Sequence, residues 1–170
     1  RVTTRVTESV RIEIHAPFDG DAPVPGPHPA LVFVQGALSG PSRYDWLTHE
    51  VASRGYVVIT ASIPADTAIL APGHGVQALE EVRERADREG DLLSGLIDPD
   101  EPAAVAGHSL GGLVAQGGFV ADDHFATLGL LAAFRARDDL AERGGDPILS
   151  LIGSEDGLSD VEGVQEAVLT

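Results

Sequence analysis

One stretch of the chain brings together the residue types that nucleophilic chemistry needs. Between Ala103 and Ala115 an apolar run meets Gly107-His108-Ser109-Leu110-Gly111 and continues into helix-forming residues. The pattern predicts a strand, a sharp turn and a helix. A turn that lifts a serine above the end of a strand holds its backbone in a strained conformation, so the residues two before and two after it must be almost free of side chain. Gly107 and Gly111 meet that requirement. The first amides of the helix then point at the same spot, where their free N–H groups and the positive helix end favour an anion such as a tetrahedral oxyanion. A serine so placed suits nucleophilic attack, whereas the same glycines could also serve packing alone, so the rest of the chain must supply partners.

Those partners are a base, an orienting acid and two oxyanion donors, drawn from loops at one sheet edge. One donor should be the backbone N–H of Leu110, directly after the serine. The other should come from the loop after the first central strand. Ala30 to Val34 is apolar throughout, as expected of a parallel strand covered on both faces, and Gln35-Gly36-Ala37 follows it, which nominates the Ala37 amide. Ser42 to Arg54 carries a helical stripe of Tyr44, Leu47, Val51 and Ala52 with Ser42 at the cap, and Gly55 ends it before the buried strand Tyr56 to Thr60. Ile63 to Gly75 leaves that strand at its C-terminal end, the edge where open α/β sheets bind ligands, and it contains His74. Val76 to Leu96 reads as one long charged helix. Phe125 to Ala133 and Asp146 to Gly153 read as two further strands. Ser154-Glu155-Asp156-Gly157 follows the second, so Asp156 is the candidate acid, with Glu155 and Asp160 as fallbacks.

The remaining segments carry less chemistry. Val2 to His15 alternates apolar and polar residues like a half-exposed edge strand or hairpin, and Ala16 to Pro29, with five prolines, reads as a loop. Asp98 to Glu101 and Asp122-Asp123-His124 resemble metal clusters but read as solvated polar turns.

Composition bounds the partners. A chain of 170 residues suits one domain, and 43% hydrophobic with 22% charged residues is ordinary for a packed protein. Eleven arginines against twenty-seven acids give a formal charge of -16, which repels phosphate backbones and anionic lipid and argues against nucleic acid as a partner. Without cysteine there is no disulfide and no thiolate site, and the compartment stays open: cytoplasmic, or exported with a leader removed. No stretch approaches the roughly 20 apolar residues of a membrane helix. The first residue is not methionine, which reads as processing or trimming.

In this order, Leu31-Val32-Phe33-Val34-Gln35-Gly36, Ala52-Ser53-Arg54-Gly55-Tyr56, Gly107-His108-Ser109-Leu110-Gly111-Gly112 and Leu149 to Gly157 resemble the α/β-hydrolase family, more narrowly its small capless members in the dienelactone-hydrolase and chlorophyllase neighbourhood. The resemblance runs from about Ala30 to Gly157. It implies a mostly parallel central sheet with helices on both faces and no cap domain, with Ser109 as nucleophile, Asp156 as acid, and the amides of Ala37 and Leu110 as oxyanion hole. It implies no metal or organic cofactor. Gln35 stands where many relatives carry histidine.

The family places its base after one more strand beyond the acid, whereas no histidine follows His124 here. The expectation is therefore a single α/β-hydrolase domain truncated at both ends, its base C-terminal to Thr170. His74 is the substitute within the chain. His108 should turn away from Ser109, and His15, His49 and His124 read as surface or packing residues. The first functional reading is a serine hydrolase acting on small-molecule carboxylic esters through an acyl-enzyme. The second is a non-catalytic binding or assembly protein of the same fold. Phosphate binding at the helix after Gly111 is weaker, since the chain has no glycine-rich phosphate loop and no lysine.

Overall fold

The computed structural model describes residues 2–5, 11–62, 74–91, 93–133 and 138–153. Its strands are β1 Val2–Arg5, β2 Arg11–His15, β3 Phe18–Asp19, β4 Ala22–Pro23, β5 Ala30–Val34, β6 Val57–Ser62, β7 Ala103–His108, β8 Phe125–Leu131 and β9 Ile148–Leu151. The helices are α1 Asp45–Ser53, α2 His74–Asp87 and α3 Leu110–Ala121, with 3-10 turns at Pro41–Tyr44 and Asp138–Arg143. Seven strands form one sheet in the order β1-β2-β6-β5-β7-β8-β9, and β3 pairs with β4. β6, β5, β7, β8 and β9 run parallel, while β1 and β2 form an antiparallel hairpin that extends the β6 side.

Chain order explains the two layers. From β5 to β6 the chain steps one way, and from β6 to β7 it steps back across β5 to the other side. Right-handed crossovers in opposite directions put their helices on opposite faces. Accordingly Ala52 of α1 packs with Phe33, Val58 and Ala106 on one face. On the other, Leu79 and Val82 of α2 and Ala115 and Phe119 of α3 pack with Val32, Ile59, Val105 and Leu128. Alternate residues of β5 thus serve two cores, which is why that strand is apolar at every position. Each such large side chain contributes roughly 1.5–3 kcal/mol by leaving water.

Four details differ from the sequence reading. The segment after Gly40 begins as a 3-10 turn with Pro41 in its first positions, so the N-cap of α1 is Tyr44 and not Ser42. α2 stops at Asp87 instead of continuing to Leu96. Gly90 sits there at φ 82°, and Asp91 pairs with Arg85 at 3.1 Å and accepts the Leu93 N–H at 3.0 Å, so a local turn outcompetes helix continuation. Glu13 and His15 are buried despite their polar alternation, because β2 is an inner strand between β1 and β6 and α1 packs against it. The proline-rich loop contains the short β3–β4 hairpin, with Pro23 opposite Phe18.

Candidate functional site

The reversal between β5 and β7 fixes where a site can lie. Their C-terminal ends are adjacent, and the loops leaving them diverge to opposite faces, which opens a crevice at that edge. Ser109 follows β7 and Gln35-Gly36-Ala37 follows β5, so the register that pairs Val34 with Gly107 brings both segments to one crevice.

At the turn, Ser109 has φ 52° and ψ -122°, a left-handed conformation that is strained for any residue with a side chain. Three contacts hold it there. Its N–H donates to the carbonyl of Leu131 at 3.0 Å, and its own carbonyl accepts the Gly112 N–H at 2.9 Å. The third is steric. A Cβ on Gly107 would strike the Gly111 carbonyl, and one on Gly111 would strike the carbonyls of Val34 and Gln35. Both glycines are therefore dictated by backbone packing, and the first turn of α3 rests directly on the end of β5. The Ser109 hydroxyl makes no capping bond to the helix it precedes. The backbone is committed while the side chain is left for other work.

Leu110 is the first residue of α3 and packs beside Val34 and Val114, so its N–H belongs to the free amides of a helix N-terminus. Ala37 is exposed, and the loop carrying it is closed by the Ser39 N–H donating to the Gly36 carbonyl at 3.3 Å. Leu38, at φ 58° and 94% exposed, adds apolar surface to this loop, and Trp46, 69% exposed, stands at the start of α1.

Asp156, Glu155 and Asp160 lie outside the described residues, as does the Ile63 to Gly73 part of the loop after β6. His74 is the first residue of α2, which puts its backbone after the C-terminal end of β6. The other histidines have other places. His108 turns its ring toward Tyr44, with Nδ1 and the phenol oxygen 2.9 Å apart. His15 is buried with its ring 5.3 Å from that of His49, and its register opposite Val58 places the pair at the N-terminal end of β6. His28 precedes β5 and bonds the Val24 carbonyl, and His124 precedes β8 and contacts Asp122 at 3.0 Å. Asp122, Asp123 and Asp146 surround Arg143, which bonds Asp123 and Asp146 and the carbonyls of Phe119, Asp122 and Phe125. That polar turn is thus consumed in structure. Among the described residues, depressions of about 460 Å³ beside Glu84 and Asp100 and about 260 Å³ beside His15 and His49 lie toward this N-terminal edge, away from Ser109.

One feature was not legible in the sequence: the bonds joining Gly36, Tyr44 and His108. Tyr44 read as part of a core stripe, and no spacing signal connects residues 64 positions apart.

Comparison with known proteins adds three findings. A family model described as "Alpha/beta hydrolase family" matches residues 30–169. Phospholipase YtpA of Bacillus subtilis (strain 168) is 33% identical over 90 residues, which is 52% of this chain and 33% of that protein. Esterase 2 of Thermogutta terrifontis, phosphoramylated by tabun, superimposes with a TM-score of 0.56 at 21% identity, covering 85% of this chain and 61% of the esterase. Its propionate-bound form gives a TM-score of 0.59 at 20% identity, covering 84% and 60%. The chain therefore spans about three fifths of the esterase and a third of the phospholipase. Among the described residues no helix is long and apolar enough to cross a membrane.

Proposed function

The chain belongs to the alpha/beta hydrolase family, and on that premise we propose that it carries the nucleophile half of a serine hydrolase acting on carboxylic esters. The observation that carries this reading is Ser109 at φ 52° on the turn between β7 and α3, beside the loop that leaves β5. In the proposed reaction its hydroxyl attacks the acyl carbon, the alcohol leaves, and water releases the acid from the acyl-enzyme. The amides of Leu110 and Ala37 receive the oxyanion. Asp156 orients the base, which is a histidine of the full-length protein outside residues 1–170, with His74 as the alternative within them. The commitment of His108 to Tyr44 and the N-terminal location of His15, His28 and His124 support that assignment.

The substrate proposed is a small ester whose apolar portion meets Leu38 and Trp46 at an uncapped crevice. The structural relatives, an esterase with propionate bound and the same esterase phosphoramylated by tabun, support a short acyl group and a nucleophile open to organophosphorus reagents. The experiment is to treat the full-length protein with a fluorophosphonate and identify the modified residue, alongside hydrolysis of a short-chain aryl ester. Labelling of Ser109 that disappears in Ser109→Ala is expected. Absence of both labelling and hydrolysis would favour the second reading, a non-catalytic assembly protein, for which the 57% exposure of Leu149 and 56% exposure of Leu151 on β9 speak.

A further inference from the structure

The loop that bears Ala37 is gripped from beneath. The Gly36 N–H donates to the Tyr44 phenol oxygen at 3.0 Å, a buried bond, and the same oxygen lies 2.9 Å from His108 Nδ1. The phenol hydroxyl can accept the Gly36 N–H and still share a second hydrogen bond with Nδ1, so one oxygen joins the loop to the imidazole. The Tyr44 ring is fixed in turn against Phe33 of β5, with centroids 4.9 Å apart. A Cβ on Gly36 would come within 2.7 Å of His108 Nδ1 and 3.2 Å of the phenol oxygen, so a glycine here is what lets imidazole and phenol reach the loop.

The grip has a directional consequence. The Gly36 carbonyl, which accepts the Ser39 N–H, belongs to the same planar peptide unit as the Ala37 N–H. Fixing Gly36 on both sides therefore fixes where the Ala37 amide points. We propose that Tyr44 and His108 are positioning residues for the oxyanion loop, His108 holding the phenol hydroxyl and the hydroxyl holding Gly36, so that the Ala37 amide is aimed before substrate arrives. This rests on the serine-hydrolase reading above. It gives the residue preceding the nucleophile a task that ties the ends of β5 and β7 together through the 3-10 turn.

The test uses the full-length protein with Tyr44→Phe, His108→Ala and His108→Asn, the last retaining an acceptor near the position of Nδ1. Loss of a whole oxyanion donor costs about 10²–10³ in kcat, and a misaimed one should cost part of that, about 10-fold. The expected result is a roughly 10-fold fall in kcat for an aryl ester in Tyr44→Phe and His108→Ala, with KM changed less than about twofold and most of kcat recovered in His108→Asn. Amide hydrogen exchange at Gly36 should quicken in Tyr44→Phe, a readout that does not depend on activity. An active parent with unchanged kcat in Tyr44→Phe and His108→Ala, or His108→Asn as impaired as His108→Ala, overturns this inference alone. A parent that neither hydrolyses ester nor labels at Ser109 overturns the proposed function and this inference with it.

Discussion

At the N-terminal edge of β8, Arg143 lies over the Phe119 ring at 4.4 Å, donates to the carbonyls of Phe119 and Phe125 at 2.6 Å and pairs with Asp146 at 2.8 Å. His124 is shared between Asp122 and Arg83. At the C-terminal edge, where α3 begins, Ser109 has its backbone bonded on both sides and its hydroxyl free of any capping role. Both edges carry hydroxyl, imidazole or carboxylate groups. At one they satisfy backbone groups and each other, which stabilises without leaving a reactive atom. At the other, backbone packing forces a strained residue and leaves helix amides directed outward. Residue type does not distinguish the edges; what the surrounding backbone demands of each residue does.

Four experiments can break or sharpen that contrast. The largest effect is expected at Ser109. In the full-length protein, Ser109→Gly should lower ester hydrolysis by at least about 10³-fold, since it removes the proposed nucleophile. Its stability should be equal or higher, because a φ of 52° is free of cost for glycine and strained for serine by roughly 1–3 kcal/mol. A fall in Tm together with the activity would mean that no strain is stored there.

Next is Gly111→Ala, which drives a Cβ into the carbonyls of Val34 and Gln35. Overpacking of this kind costs about 1–3 kcal/mol and should lower both the urea midpoint and Ser109 labelling. If only stability falls, the contact between α3 and β5 supports the fold without shaping the crevice.

Arg143→Ala tests the other edge. Removing the guanidinium leaves several carbonyls without their donor and should destabilise by roughly 1–3 kcal/mol. Labelling rates measured well below the Tm should not change. A slower reaction at full folding would show that the two edges are coupled.

The smallest effect concerns Asp91, whose carboxyl is held below the usual carboxylate range first by its hydrogen bonds from Arg85, then by the Leu93 N–H. A depressed folded pKa contributes stability that is present above the unfolded value near about 4 and is lost as pH falls through the lower folded value. Asp91→Asn should therefore cost about 1 kcal/mol or less at neutral pH and make the acid side of the stability profile less steep, as followed by urea titration between roughly pH 2 and 6. An unchanged acid limb would remove Arg85 and Asp91 from the account of how α2 ends.

The amino-acid sequence by itself determined the parts of this protein that depend on near neighbours. Glycines two before and two after Ser109 define the elbow because steric exclusion acts over a few bonds. The continuous apolar run of Ala30 to Val34 declares a strand covered on both faces. What only the tertiary structure decided depends on pairing between distant segments. The strand order around β5 makes it the neighbour of β7, so that the first turn of α3 packs on the carbonyls of Val34 and Gln35. The burial of Glu13 and His15 follows from α1 packing on β2 within the sheet, which alternation along β2 does not encode. Tyr44 reaches both Gly36 and His108 only because a 3-10 turn, β5 and β7 converge. Backbone sterics are local and so are written residue by residue, whereas a hydrogen bond across 64 positions is fixed only when the sheet has assembled.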